Sequence, residues 1–145
     1  MKITSPAFEH GEEIPSEYSC DSSDISPELN IEGVPENTKS FALINDDPDA
    51  PGGTWDHWSV FNIPTHVTKI ERGREPDAVA GKNSWGRTGY GGPCPPSGTH
   101  RYFFKLYALD TYLDLEEGST KEDIEASMAG HIIDSAELMG TYKRK

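Results

Sequence analysis

Apolar residues along this chain fall into short runs separated by proline, glycine and acidic residues, and most of the runs keep period two. Ser40-Phe41-Ala42-Leu43-Ile44 is continuous and uncharged, the pattern of a strand covered on both faces. Trp58 to Ile63 alternates, setting Trp58, Val60 and Asn62 against Ser59, Phe61 and Ile63. From Tyr102 to Leu109 the same period puts Tyr102, Phe104, Leu106 and Ala108 on one face. Phe103, Lys105, Tyr107 and Leu109 take the other, and both sides are largely apolar, as in a central strand. Shorter strand candidates lie at Met1 to Phe8 and around Leu29 and Ile31. Ser119 to Met128 alone reads clearly as helix: Ser119 and Glu122 stand at capping-box spacing, and Ile124 and Met128 share a face. Residues 131–139 fit either a second helix or a strand. Many short strands, turn-rich links and one late helix predict an all-β sandwich.

Two loops add chemistry to this pattern. The stretch from Asn45 to Pro64 opens with Asp46, Asp47 and Asp49, interrupted by Pro48 and Pro51, which fix φ and end any preceding strand. After Gly52 and Gly53, Trp55-Asp56-His57-Trp58 leads into the next strand, so His57 is expected at its mouth. The second loop, Gly89 to Thr99, delivers His100 to a strand start in the same way, with Arg101 and Tyr102 directly behind. If the loops meet at one rim, Asp47, His57 and His100 supply an acceptor and two switchable donors, and Gly91 and Gly92 leave backbone N–H groups open to a ligand. Such a set suits a small anion, a phosphate, sulfate or carboxylate. Asp47 is assigned the orienting role, since a carboxylate beside a histidine favours its charged form. Asp49 is expected to cap the turn through backbone N–H groups, and Arg101 to pair with Asp47 or Asp49 as scaffold. His10, His66 and His131 read as ordinary histidines, and Trp58, Phe61, Phe103 and Phe104 as core.

Composition narrows the field. The 145 residues suit one domain, 1–145, with 13 basic against 25 acidic side chains and a net charge of -12. That balance repels nucleic acid and anionic bilayers at long range. No apolar run approaches the roughly 20 residues of a spanning helix, and no signal region opens the chain, so a cytoplasmic location is expected. Cys20 and Cys94 lack CxxC spacing; free thiols are expected in a reducing compartment, while a thermophilic source would favour a bridge.

The motifs D-P-D-x-P at Asp47 to Pro51, W-x-H at Trp55 to His57 and G-x-H-R-Y at Gly98 to Tyr102 occur in that order. With Gly130-His131-Ile132-Ile133 and Ala136 to Tyr142, the chain from about Ile3 to Tyr142 resembles the phosphatidylethanolamine-binding protein family, in its prokaryotic Raf-kinase-inhibitor-like branch. The resemblance implies a Greek-key β-sandwich of two antiparallel sheets with a short C-terminal helix, and a strand over residues 131–142. It implies a ligand pocket of Asp47, His57, His100 and Tyr102, lined by Gly92, walled by Trp55 and fixed by Pro51. Ser22 departs from the C-D-G pattern of the branch, and the tyrosine that eukaryotic members bring from a C-terminal helix is not carried over. The implied function is non-enzymatic: binding of a phosphate or phosphoethanolamine-like headgroup without a cofactor, with a kinase or protease as protein partner and a homodimer as assembly. The alternative is a small hydrolase, or a metal-dependent enzyme, using His57, His100 and Asp47. Against hydrolysis, no serine or cysteine is placed beside a histidine, and Cys94, the one candidate nucleophile, is hemmed by prolines. Against a metal, zinc-type ligand spacing is absent.

Overall fold

Every position of β3 (Ser40–Asp47) is buried, and the fold follows from what covers its two faces. The structure, a computed structural model, describes all residues, 1–145. Strands β1 (Lys2–Thr4), β2 (Leu29–Glu32) and β5 (Lys69–Ile70) form a three-stranded sheet in the order β1-β2-β5. β3, β4 (Trp55–Pro64), β6 (Val79–Ala80), β7 (His100–Leu109) and β8 (Ile132–Tyr142) form a second sheet in the order β6-β4-β3-β7-β8. All pairings within both sheets are antiparallel. The protein is therefore mostly β, with two antiparallel sheets and one short helix, α1 (Lys121–Met128).

The larger apolar cluster draws on both sheets: Ile3, Leu29, Ile31 and Ile70 from the small one, Leu43, Trp58, Val60, Phe104 and Leu106 from the large one. The opposite face of the large sheet is covered by a second cluster, in which Ile124 and Met128 of α1 meet Ala42, Ile44 and Phe61. Both faces are thus dry, which accounts for the unbroken apolar run of β3.

Four sequence expectations need correction. β1 is shorter than Met1 to Phe8: Pro6 supplies no N–H to a ladder, and Phe8 packs its ring against Phe104 instead, with centroids 6.0 Å apart. The alternation across β4 breaks at Asn62, which adopts φ 57° at a register shift opposite Phe41 and Leu43. This bulge returns Ile63 to the face of Trp58 and Val60. The Asn62 side chain donates to the Leu113 carbonyl at 3.0 Å and accepts the Leu113 N–H at 2.8 Å. The helix is capped by Thr120 and Asp123, one residue beyond the Ser119 and Glu122 pair, because Ser119 is held in the preceding turn by the Glu116 carbonyl. Cys20 and Cys94 are not free thiols but a disulfide, their Cα atoms 5.4 Å apart, within the span such a bridge requires. Residues 132–142 form a strand along β7, the alternative favoured by the resemblance. No helix is long and apolar enough to cross a membrane.

Candidate functional site

At the end of β3 the chain runs into Pro48, and adjacent carboxylates leave on opposite sides of the sheet. Asp46 turns to the helix side, where it meets Lys105 at 3.1 Å and Lys121 at 3.2 Å. Asp47 turns to the other, where its Oδ2 accepts from Nδ1 of His100 at 2.7 Å. Its Oδ1 accepts the backbone N–H of Asp49 at 2.8 Å, closing an Asx-type turn. Asp49 in turn accepts from the backbone N–H, Nε and Nη2 of Arg101, each at 2.9 Å. The Arg101 guanidinium holds the Asp49 carboxyl down at about 2. Arg101 is therefore scaffold on Asp49, and its charge stays outside the site.

His57 is not at the mouth of β4 but its third residue, and it owes its position to a second irregularity. Asn45 pairs with Trp58 and Asp46 with Asp56, which leaves His57 as the unpaired residue of a bulge. Both His57 and its neighbour Trp58 consequently serve the face that carries Tyr102 and Phe104. Nδ1 of His57 lies 2.8 Å from the Gly91 carbonyl. A carbonyl only accepts, so that nitrogen carries the hydrogen. Burial pushes the His57 pKa down, against the opposing pull of the Gly91 carbonyl and the Asp47 charge.

These residues converge on a cleft of about 260 Å³. Asp47, His57, His100 and Tyr102 form its polar part; Pro51, Ala50, Trp55, Trp85, Cys94, Pro95 and Pro96 form the rest. The rings are in edge contact: His57 lies 5.2 Å from Tyr102 and 5.0 Å from Trp85, and Trp85 lies 5.6 Å from Trp55. Trp55 is 36% and Trp85 40% exposed, so the apolar rim faces solvent. The Tyr102 hydroxyl is sealed from solvent and has no hydrogen-bond partner; burial and the nearby Asp47 charge push its pKa up.

Six of the seven residues expected in the pocket, Asp47, Pro51, Trp55, His57, His100 and Tyr102, line this cleft. Gly92 does not. Its N–H donates to Asp24 Oδ1 at 2.8 Å, and the Gly91 N–H donates to the His57 carbonyl at 3.0 Å, so neither is open to a ligand. Gly92 is glycine for another reason: a Cβ there would overlap the Tyr18 carbonyl and Asp24. The residue the sequence reading missed is Trp85, held by an Asn83 side chain that accepts the N–H groups of Trp85 and Arg87 and donates to the Gly89 carbonyl. The available signal was a tryptophan in a small, glycine-broken stretch, where no core pattern accounts for it.

The sequence profile described as phosphatidylethanolamine-binding protein matches residues 4–143. The chain belongs to the phosphatidylethanolamine-binding protein family. A UPF0098 protein of Methanothermobacter thermautotrophicus is 53% identical over 150 residues, covering 99% of both chains. Among solved structures, a phosphatidylethanolamine-binding protein homologue from Chlamydia trachomatis superposes with a TM-score of 0.96 at 47% identity, covering 99% of this chain and 97% of that one. Escherichia coli YbcL, described as a new member of the mammalian PEBP family, superposes at 0.92 with 35% identity, covering 99% and 98%. In this member of the phosphatidylethanolamine-binding protein family the cleft has neither lysine nor arginine in its lining.

Proposed function

We propose that this is a non-enzymatic binding protein whose cleft holds a small phosphate-type anion, on the Greek-key sandwich frame that family membership leads us to expect. The observation that carries the reading is the convergence of two imidazoles on the cleft, each with Nδ1 engaged and Nε2 without a protein partner. The indole rim of Trp55 and Trp85 suits the organic part of such a ligand. Hydrolysis is disfavoured because Cys94, the one thiol on the cleft, is tied up in the disulfide.

The test is titration of the imidazole signals of His57 and His100 with phosphate and then with phosphoethanolamine. Joint saturable shifts support the reading. A folded protein in which neither ring responds would sink it. Regulation of a kinase or protease by the liganded surface, a homodimer and a cytoplasmic location are parts of the same proposal; partner capture, sizing in solution and fractionation test them separately.

A further inference from the structure

One wall of the cleft differs from the rest in what holds it. His57 and His100 belong to strands of the large sheet, and each ring is fixed by a bond through Nδ1. The wall made by Cys94, Pro95 and Pro96 lies in a loop, and residues 95–99 take part in no backbone hydrogen bond. Pro95 is buried, but Pro96 to Thr99 are exposed. The firm tie of this segment, short of β7 itself, is the bridge from Cys94 to Cys20.

The two ends of that bridge are unequal. Cys20 sits in a loop held from several sides. Its N–H donates to the Pro93 carbonyl at 3.1 Å, and the Tyr90 hydroxyl donates to the Tyr18 carbonyl at 2.7 Å. Ser19 Oγ lies 2.7 Å from the Ser16 carbonyl and 2.9 Å from the Tyr142 hydroxyl, which donates to Asp21. The Gly92 N–H donates to Asp24 of the same loop at 2.8 Å. Gly92 and Pro93 would therefore stay in place with the bridge open, and His100 is held by Asp47. The stretch that an open bridge releases is 94–99. Cys94 is half-buried and lines the cleft, whereas Cys20 does not, so a thiol entering the cleft meets Cys94 Sγ.

We propose that the Cys20–Cys94 bridge is a thiol–disulfide exchange site through which a dithiol reductant releases one wall of the cleft, whatever the cleft binds. A thiolate of the dithiol attacks Cys94 Sγ, the bond between the two cysteines breaks, and Cys20 leaves as a thiolate that takes up a proton. The second thiol of the reductant, as thiolate, then attacks the reductant's own sulfur in the mixed disulfide. Cys94 leaves and is protonated in its turn. The dithiol ends as an intramolecular disulfide, having passed two electrons to the bridge, and its two thiol protons balance those taken up by the cysteines. An oxidised dithiol reverses both steps and closes the wall. In the reduced protein residues 94–99 join Pro93 to His100 without a tie between, while the His57–Gly91 and His100–Asp47 bonds persist.

Dithiothreitol added to the folded protein at pH 8, with alkylation and mass analysis over time, reads whether the bridge exchanges in the native state. The rate is expected to rise in proportion to dithiothreitol and to change by less than about twofold on adding about 1 M urea. A bridge reached only through unfolding would instead give a rate that stops rising with dithiothreitol, or one at least about fivefold faster in about 1 M urea. Either result would overturn the proposal. A monothiol, 2-mercaptoethanol, is expected to leave its mixed disulfide on Cys94 and a free thiol on Cys20; the adduct on Cys20 would overturn the route through the cleft. Backbone relaxation of the oxidised and reduced proteins reads the wall itself. Order parameters of Ser97 to Thr99 are expected to fall below about 0.6 on reduction, with Gly92 and His100 still ordered. Unchanged order at Ser97 to Thr99 would overturn the proposal, and so would loss of order along the whole chain, which would make the bridge a requirement of the fold and not a tie on one wall.

Discussion

Asp56 offers a direct measure of what the polar end of the large sheet costs. It pairs across the strands with Asp46, and the two carboxylates share the helix side with Lys121. Asp56 is 5% exposed and accepts from Ser59 Oγ at 2.7 Å and the Trp58 N–H at 3.2 Å. Burial is the main force on its carboxyl, and the bonds from Ser59 and Trp58 offset only part of it, leaving the pKa at about 6 against an ordinary 3.8. The ionised form is therefore disfavoured in the folded protein by about 3 kcal/mol. The unfolded chain ionises near 3.8, so between there and 6 the native state binds the extra proton. Stability contributed by this group is then lost as pH rises towards 6 and stays lost above it. Asp56→Asn keeps an oxygen for the Trp58 N–H, and the Ser59 hydroxyl can rotate to accept from the new amide. The variant is expected to be more stable than the parent by about 1–3 kcal/mol at pH 8 and by less than about 1 kcal/mol at pH 4. Urea denaturation of both disulfide-bonded proteins from pH 4 to pH 8 measures this. An Asp56→Asn variant no more stable than the parent at pH 8, or a gain that does not change with pH, would show that the carboxylate is held ionised by Lys121 and that the reasoning is wrong.

Two further outcomes follow from backbone and covalent geometry. Gly92→Ala is expected to destabilise by about 3 kcal/mol, because the new methyl meets the Tyr18 carbonyl and the Asp24 carboxylate that the Gly92 N–H needs; an unchanged melting temperature would refute the close approach. Reducing the Cys20–Cys94 bridge, which spans 74 residues of sequence, is expected to cost up to about 4 kcal/mol through the freed unfolded chain. Denaturation with and without reductant, with Cys20→Ser as control, reads that loss.

What could be read in advance was whatever a local period records. The two-sided apolar pattern of β7 states its central place, and it does lie between β3 and β8. The faces of β4 could not be followed past Asn62, because a bulge has no periodic signature and is fixed by a bond to Leu113, 51 residues on. The disulfide was misjudged for a related reason. Compartment arguments weigh the average protein, whereas the bridge depends on the Tyr18 to Ser22 loop being brought beside the loop that carries Cys94, where the Cys20 N–H also bonds the Pro93 carbonyl at 3.1 Å. Gly92 is placed in the pocket by motif position and by the open N–H expected of a glycine loop, and the group that claims that N–H, Asp24, has a positive φ of 57° that the sequence around it does not announce.

The Asp46-Asp47-Pro48-Asp49 run shows where local reading stops. Its composition points to a turn with chemistry, and the orienting role of Asp47 follows from residue type; the turn cap expected of Asp49 is supplied instead by Asp47, which accepts the Asp49 N–H, while the Asp49 carboxylate holds Arg101. The partners do not follow from residue type. Asp46 reaches forward 59 residues to Lys105, Asp47 53 to His100 and Asp49 52 to Arg101, so all three depend on the register of β3 against β7. A slip of one residue in that register would exchange the faces, setting Asp46 towards the cleft and Asp47 towards α1. The buried ion pairs of Asp46 and the buried dyad of Asp47 and His100 would both be broken, each leaving charge without a partner. The same carboxylates that equip the cleft thus penalise the wrong pairing of the strands that build it.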